Sequence, residues 1–209
     1  MTIYADAKQL KRRADSVLEE VFRSLFEEID TDKLHREVEA MREEAPDYRP
    51  ARHARTLARR TAIRCAAAGA VTGLPLGLAA IGTLGADLAY LMYQQFRLIL
   101  GIAAVYGHDL TSRERFNEAL SCLAYATGVG AGKQGIALLG SSAVIEKISA
   151  RAVREQLTKL IPFVGAISGG ALNYLSVYAV ARAAIRYYET RVDPQLAEEI
   201  WAEGDREHA

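Results

Sequence analysis

The sequence predicts an all-α fold: a compact helical bundle with closely packed, glycine-rich central helices and an amphipathic N-terminal helical arm. Three observations carry that prediction. Apolar residues recur at three- and four-residue intervals along much of the chain, the spacing of helices with one buried face. No stretch sustains the strict alternation of a half-buried strand, although Val and Ile occur throughout. Two long runs without charge, both rich in small residues, are entered through a proline motif. With 209 residues, half of them hydrophobic, the chain is long enough for a sizeable core. Composition shifts divide it into an arm over residues 1–48, a helical core over 49–192 and an acidic tail over 193–209.

The first helix is expected over about residues 5–29, where Leu10, Val17, Leu18, Val21, Phe22, Leu25, Phe26 and Ile29 draw one stripe. A short second helix, about 32–44, follows Thr31 as capping candidate, with Leu34, Val38 and Met41 on one side and acids opposite. Pro46 and Pro50 close the arm. The third helix starts near Ala51 and carries Arg52, Arg55, Arg59, Arg60 and Arg64 before running into the first charge-free run, Cys65 to Ala86. Asp87 is read as opening the next helix, which lasts to about Tyr106. Thr111 with Glu114 fits a capping box for a helix to about Thr127. Helical pattern resumes after GVGAGKQG, through Ser149 and on to Leu160, and Pro162 opens the last long helix, to about Arg191.

Gly69, Gly73 and Gly77 form GxxxGxxxG, and Gly165 with Gly169 forms GxxxG. Four-residue spacing puts these positions on one face, where a second backbone can approach closely. Each glycine costs about 0.5–1 kcal/mol relative to alanine inside a helix, and close packing is the plainest compensation. Both charge-free runs reach 22 residues, long enough to span a bilayer. In the first, six large aliphatics supply only about −2 to −4 kcal/mol, much of it cancelled by glycines, threonines and Pro75. Three environments stay open: an autonomous span, a buried pair of core helices, and a membrane-inserting or lipid-enclosing hairpin.

Asp87, Tyr90, Gln94 and Arg97 fall at helical spacing and draw a polar stripe through apolar surroundings. A carboxylate there must be paired or cap a helix; otherwise the stripe, with Asn173 from the second run, lines a ligand cavity. Arg52, Arg55, Arg59 and Arg60 suit lipid head groups. Near an anionic leaflet each cation contributes about 1 kcal/mol, so stable docking needs apolar insertion as well. The competing reading pairs these arginines with the acidic arm.

A net charge of zero, with a basic excess only in the local run of residues 51–64, excludes a broad nucleic-acid surface. Cys65 and Cys122 sit in alanine-rich contexts that suit buried free thiols in a reducing compartment. No apolar leader opens the sequence, so a cytoplasmic location, peripheral at the inner membrane, is expected. Catalysis finds little support. GVGAGKQG places Thr127 and Gln134 where a phosphate loop needs Gly and Ser or Thr. His35, His53, His108 and His208 have no metal-ligand spacing, the cysteines form no CxxC, and His108-Asp109 reads as a turn. No metal and no cofactor are expected.

The succession of LPLG, GADLAYLMYQQFRLILGIAAVYGHDL and KLIPFVGAISGGALNY resembles the bacterial EcsC family over roughly residues 55–190. The matching positions are Pro75, Gly77, Asp87, Tyr106, Gly107, Pro162, Gly165 and Asn173. The resemblance implies a gene-neighbourhood association with an ABC transporter and brings no reaction. A looser similarity to eukaryotic senescence domains, glycine-rich helical modules linked to lipid binding, implies lipid contact. The resulting expectation is a non-enzymatic helical protein at the cytoplasmic membrane face that binds lipid or another apolar ligand. The alternative is a soluble module whose N-terminal stripe docks a transporter or secretion partner; a homo-oligomer is compatible with either.

Overall fold

A computed structural model describes residues 17–72, 79–128, 144–150 and 165–191, and every regular element among them is an α-helix. In chain order these are α1 (17–27), α2 (Thr31–Glu44), α3 (Pro50–Thr72), α4 (Ala79–Val105), α5 (Arg115–Ala126), α6 (144–150) and α7 (Gly165–Glu189). The expected first turns of α1, the segment around Gly73, Pro75 and Gly77, most of GVGAGKQG, Pro162 and the acidic tail lie outside the described residues.

The three caps read from sequence differ from those observed. Asp30, not Thr31, starts α2: its side chain accepts a hydrogen bond from the Lys33 amide at 2.8 Å, which satisfies one of the orphan donors of the first turn. Thr111 and Glu114 form no capping box. Asp109, two residues earlier, takes the Thr111 amide at 2.9 Å and its hydroxyl at 2.8 Å in a local turn, and α5 begins without a side-chain cap. Asp87 does not open a helix, because α4 starts at Ala79 and Asp87 lies well inside it.

α4 is the central element, touching α2, α3, α5 and α7. Phe96, Ile99, Ile102, Ala103 and Val105 along it are fully buried. Its stretch Leu88–Val105 is long and apolar enough to cross a bilayer, with mean hydropathy 1.3, yet 72% of it is buried by protein. The arm covers this helix: Phe22 and Phe26 meet Phe96 edge to face at 5.9 and 5.6 Å, and Phe26 meets Phe116 at 5.3 Å. Leu34, Val38 and Met41 of α2 join the same core. At Gly101 an added Cβ would stand 2.6 Å from Leu57 Cδ2 and 3.4 Å from Leu34 Cδ1, so α2 and α3 both approach α4 closely at that point.

α4 ends in a Schellman turn. Gly107 adopts φ 80°, its amide bonds Ala104 O at 2.9 Å, and the His108 amide bonds Ala103 O at 3.0 Å. Arg42 of α2 adds its guanidinium, donating from Nη2 to Ala104 O at 3.1 Å and to Val105 O at 3.0 Å. A cation at the negative end of a helix is also favoured by the macrodipole.

The most extensive helix contact joins α3 to α7. Ala54, Ala58, Ala62 and Cys65 are buried on one side of α3, and Asn173, Val177, Val180, Ala181 and Ala184 on α7. Buried Asn173 donates from Nδ2 to Cys65 O at 3.2 Å, and Gln95 Nε2 of α4 donates to Ser176 Oγ of α7 at 3.0 Å. Cys65 meets Asn173, while Arg55 and Ala58 share a groove with Ala181 and Arg182, so the two helices run antiparallel. Small residues on both faces allow the two helices to approach closely. The close-packed face thus described is built from alanine; Gly69 lies in α3 and Gly165 and Gly169 in α7, but their surroundings fall outside the described residues. Replacing Ala62 by Leu is expected to lower stability by about 2–3 kcal/mol through overpacking, whereas Leu at exposed Ala67 should change it by less than about 0.5 kcal/mol; urea denaturation of the two variants distinguishes these outcomes.

Candidate functional site

The arginines of α3 separate into groups with different partners. Arg60 meets Glu44 of α2 at 3.7 Å with both side chains exposed, a pair worth at most about 1 kcal/mol. The Arg52 guanidinium lies 3.6 Å from the centre of the Tyr48 ring, a cation–π contact at the edge of the arm. Arg55 and Arg59 are exposed and form no ion pair among the described residues. Part of the basic helix is therefore committed to the acidic arm, and part is free.

The members of the polar stripe that are described differ in their partners. Arg97 pairs with Glu37 of α2. Tyr90 is half-buried, and its hydroxyl titrates above the usual range because of burial first, then the Cys65 charge, with Arg64 opposing. Gln94 is buried, and its Oε1 has no hydrogen-bond partner among the described residues. Asn173 is engaged with the Cys65 carbonyl. The side chain of Asp87 lies outside the described residues.

A groove of about 680 Å³ opens between α3, α5 and α7. Arg55, Arg182, Arg186, Glu189, Tyr125 and Tyr178 line it. Small residues make room for the long side chains: Ala58 and Ala181, both buried, contribute to its wall. Tyr125 and Tyr178 stay 56% and 39% exposed, and Tyr174 stacks on Tyr178 with centroids 5.9 Å apart. Like Arg55, Arg182 and Arg186 make no ion pair among the described residues, which leaves three guanidiniums against one carboxylate. Such a lining attracts anions and offers aromatic faces to an apolar body. Of its residues only Arg55 was singled out by the basic run. A signal for the others was present, since Leu175, Tyr178, Arg182 and Arg186 fall at i, i+3, i+7 and i+11.

Beside the groove lies a buried polar cluster that sequence spacing did not reveal. Arg115 pairs with Glu118 on α5, and fully buried Tyr188 of α7 donates its hydroxyl to Glu118 Oε2 at 3.1 Å. The His108 ring stands 5.0 Å from that of Tyr188. Burial, followed by Arg115 and Arg191, holds the His108 imidazole below its ordinary 6.5. Burial first, then Glu118, pushes the Cys122 thiol up to about 12. A thiol held protonated in this way is a poor nucleophile. Tyr106 Oη, His108 Nε2 and Arg115 Nε are buried without hydrogen-bond partners among the described residues. Among the described residues no three His, Cys, Asp or Glu side chains form a group that could hold a metal.

A family model, that of the EcsC protein family, matches residues 7–192. No curated protein and no solved structure matches the chain significantly.

Glu118→Gln strands the Arg115 charge, so urea denaturation should show a loss of about 2–4 kcal/mol, most of it recovered when Arg115→Met removes the charge too. His53 and His108 are both held below 6.5, in each case by burial first, so protonation favours the unfolded chain. Their contribution to stability is fully present above pH 6.5 and is lost as pH falls through the depressed folded-state values. A His53→Gln/His108→Gln variant should show a flatter decline in melting temperature on acidification from neutrality than the parent.

Proposed function

The chain belongs to the EcsC protein family, and we propose that it acts without catalysis at the cytoplasmic face of a membrane, binding lipid or another apolar ligand. The observation that carries this reading is the combination of exposed apolar and cationic side chains on α3, α5 and α7. Ile63 on α3, Leu175 and Tyr178 on α7 and Tyr125 on α5 stay 53%, 63%, 39% and 56% exposed. The same three helices carry Arg55, Arg59, Arg182 and Arg186, for which no ion pair is formed among the described residues. Tyrosine, aliphatic and arginine side chains together suit a bilayer interface, where the apolar groups enter the acyl boundary and the cations meet head groups.

Magnitudes support combining the two. Four cations near an anionic leaflet contribute about 4 kcal/mol, only millimolar affinity alone. Inserting Ile63 and Leu175 adds about 1–2 kcal/mol each, which brings the sum into the micromolar to tens-of-micromolar range. Of the four arginines expected at head groups, Arg55 and Arg59 keep that role here. Arg52 and Arg60 already have partners in Tyr48 and Glu44.

A protein-docking module working through α1 is the second reading, and one observation favours it: Val17 and Val21 are 57% and 45% exposed. Their neighbours Phe22 and Phe26 are taken up by Phe96 and Phe116, which leaves a narrow stripe for a partner.

Flotation with vesicles separates the readings. Vesicles containing phosphatidylglycerol should carry the protein and purely zwitterionic ones should not. Arg55→Glu/Arg59→Glu should weaken binding at least about tenfold, whereas Arg60→Glu should change it less than about twofold. Equal behaviour of the two charge-reversal variants, or no flotation with anionic vesicles, would remove the membrane reading.

A further inference from the structure

We propose that the groove between α3, α5 and α7 is a binding site for a phosphomonoester, held by Arg55, Arg182 and Arg186. The charge count selects the ligand class. Among the described residues three guanidiniums face one carboxylate, Glu189, in one lining, and a phosphomonoester carries close to two negative charges above a second pKa of about 6. A phosphodiester or a carboxylate, each singly charged, leaves one arginine uncompensated.

The arrangement of the cations points the same way. Arg182 and Arg186 are four residues apart on α7, so like charges are held on one helical face. The antiparallel α3 brings Arg55 to the same groove. Three fixed cations repel one another in the empty groove, and a dianion reverses that sign. Arginine suits the task because its planar fork matches phosphate oxygens in pairs.

The rest of the lining fits a phosphate attached to a small organic body. Tyr125 and Tyr178 supply hydroxyls and ring faces at the mouth, and Tyr174 stacks behind Tyr178. Ile185 adds an apolar wall. A volume of about 680 Å³ lies within the usual range for small-ligand sites. The phosphomonoester belongs either to a lipid of the phosphatidic acid type or to a soluble phosphorylated compound. The lipid source rests on the membrane reading above; the site itself does not.

The test uses the full chain with vesicles of phosphatidylcholine mixed with phosphatidic acid or phosphatidylglycerol at matched surface charge, with calorimetry of glycerol 3-phosphate as the soluble arm. Phosphatidic acid should bind at least about tenfold tighter than phosphatidylglycerol, and the preference should fade below about pH 6, where the second phosphate charge is lost. Arg182→Gln/Arg186→Gln, at exposed positions where folding is undisturbed, should weaken binding to both lipids, because two of the four cations are lost, and should bring the ratio of the two affinities to about one. Arg182→Lys/Arg186→Lys should retain phosphatidylglycerol binding and lose most of the preference. Glycerol 3-phosphate bound through the same arginines without flotation on any anionic vesicle would uphold the site with a soluble ligand and overturn the membrane reading. Equal binding of both lipids by the parent, with no heat from glycerol 3-phosphate, would overturn the site and leave the membrane reading standing.

Discussion

Everything in this bundle depends on how closely α3 can approach α7. Ala54, Ala58, Ala62 and Cys65 present only small side chains toward the core, so the gain is dispersion and exclusion of water over a long contact rather than a few large anchors. That geometry needs a pin against sliding, because an alanine surface has little relief. Asn173 supplies it by donating to the Cys65 carbonyl, and Gln95 with Ser176 fixes α4 to the same helix. A buried amide left unpaired costs about 1–3 kcal/mol, which gives these two bonds their hold on register.

From that register the groove follows. Arg55 on the second turn of α3 and Arg182 and Arg186 near the end of α7 are far apart in the chain, and only an antiparallel pair brings them together. The same α7 turns toward the interior with Tyr188, which completes the Arg115 and Glu118 pair. One helix thus carries an unbalanced basic face outside and a balanced ionic cluster within. Burial at the cluster holds His108 below its ordinary value and Cys122 above its own, while the cations of the outer face form no ion pair among the described residues.

Local features were legible in the sequence to the extent that their physics is local. The all-α class, the extent of α2, the core stripe of Leu34, Val38 and Met41, and two buried free cysteines follow from spacing and composition. Asn173 stood out as one amide in apolar company, and it is buried and hydrogen-bonded. Caps were off where two candidates competed, as Asp30 beside Thr31 and Asp109 ahead of Glu114 show. The groove escaped notice because its arginines acquire meaning only from the α3–α7 register. The Glu118 cluster escaped for a similar reason: Arg115 and Glu118 read as an ordinary surface pair three residues apart until Tyr188 arrives from α7. The two charge-free runs are the candidates for a span read from sequence, yet among the described residues the helix long and apolar enough to cross a bilayer is α4 over Leu88–Val105, whose length fits a membrane span and a core helix equally well until the helices packed around it are known.

The Arg42 contact sets a condition on that arrangement. Arg42 is held by Glu39 at 2.7 Å and satisfies the last carbonyls of α4, Ala104 and Val105. Peeling the arm away would bare not only the greasy side of α4 but also two carbonyl oxygens at its end. In hydrocarbon each such orphan costs several kcal/mol. The arm is therefore a clasp as well as a lid, and α4 could enter the interior of a bilayer only after giving up the guanidinium that completes it.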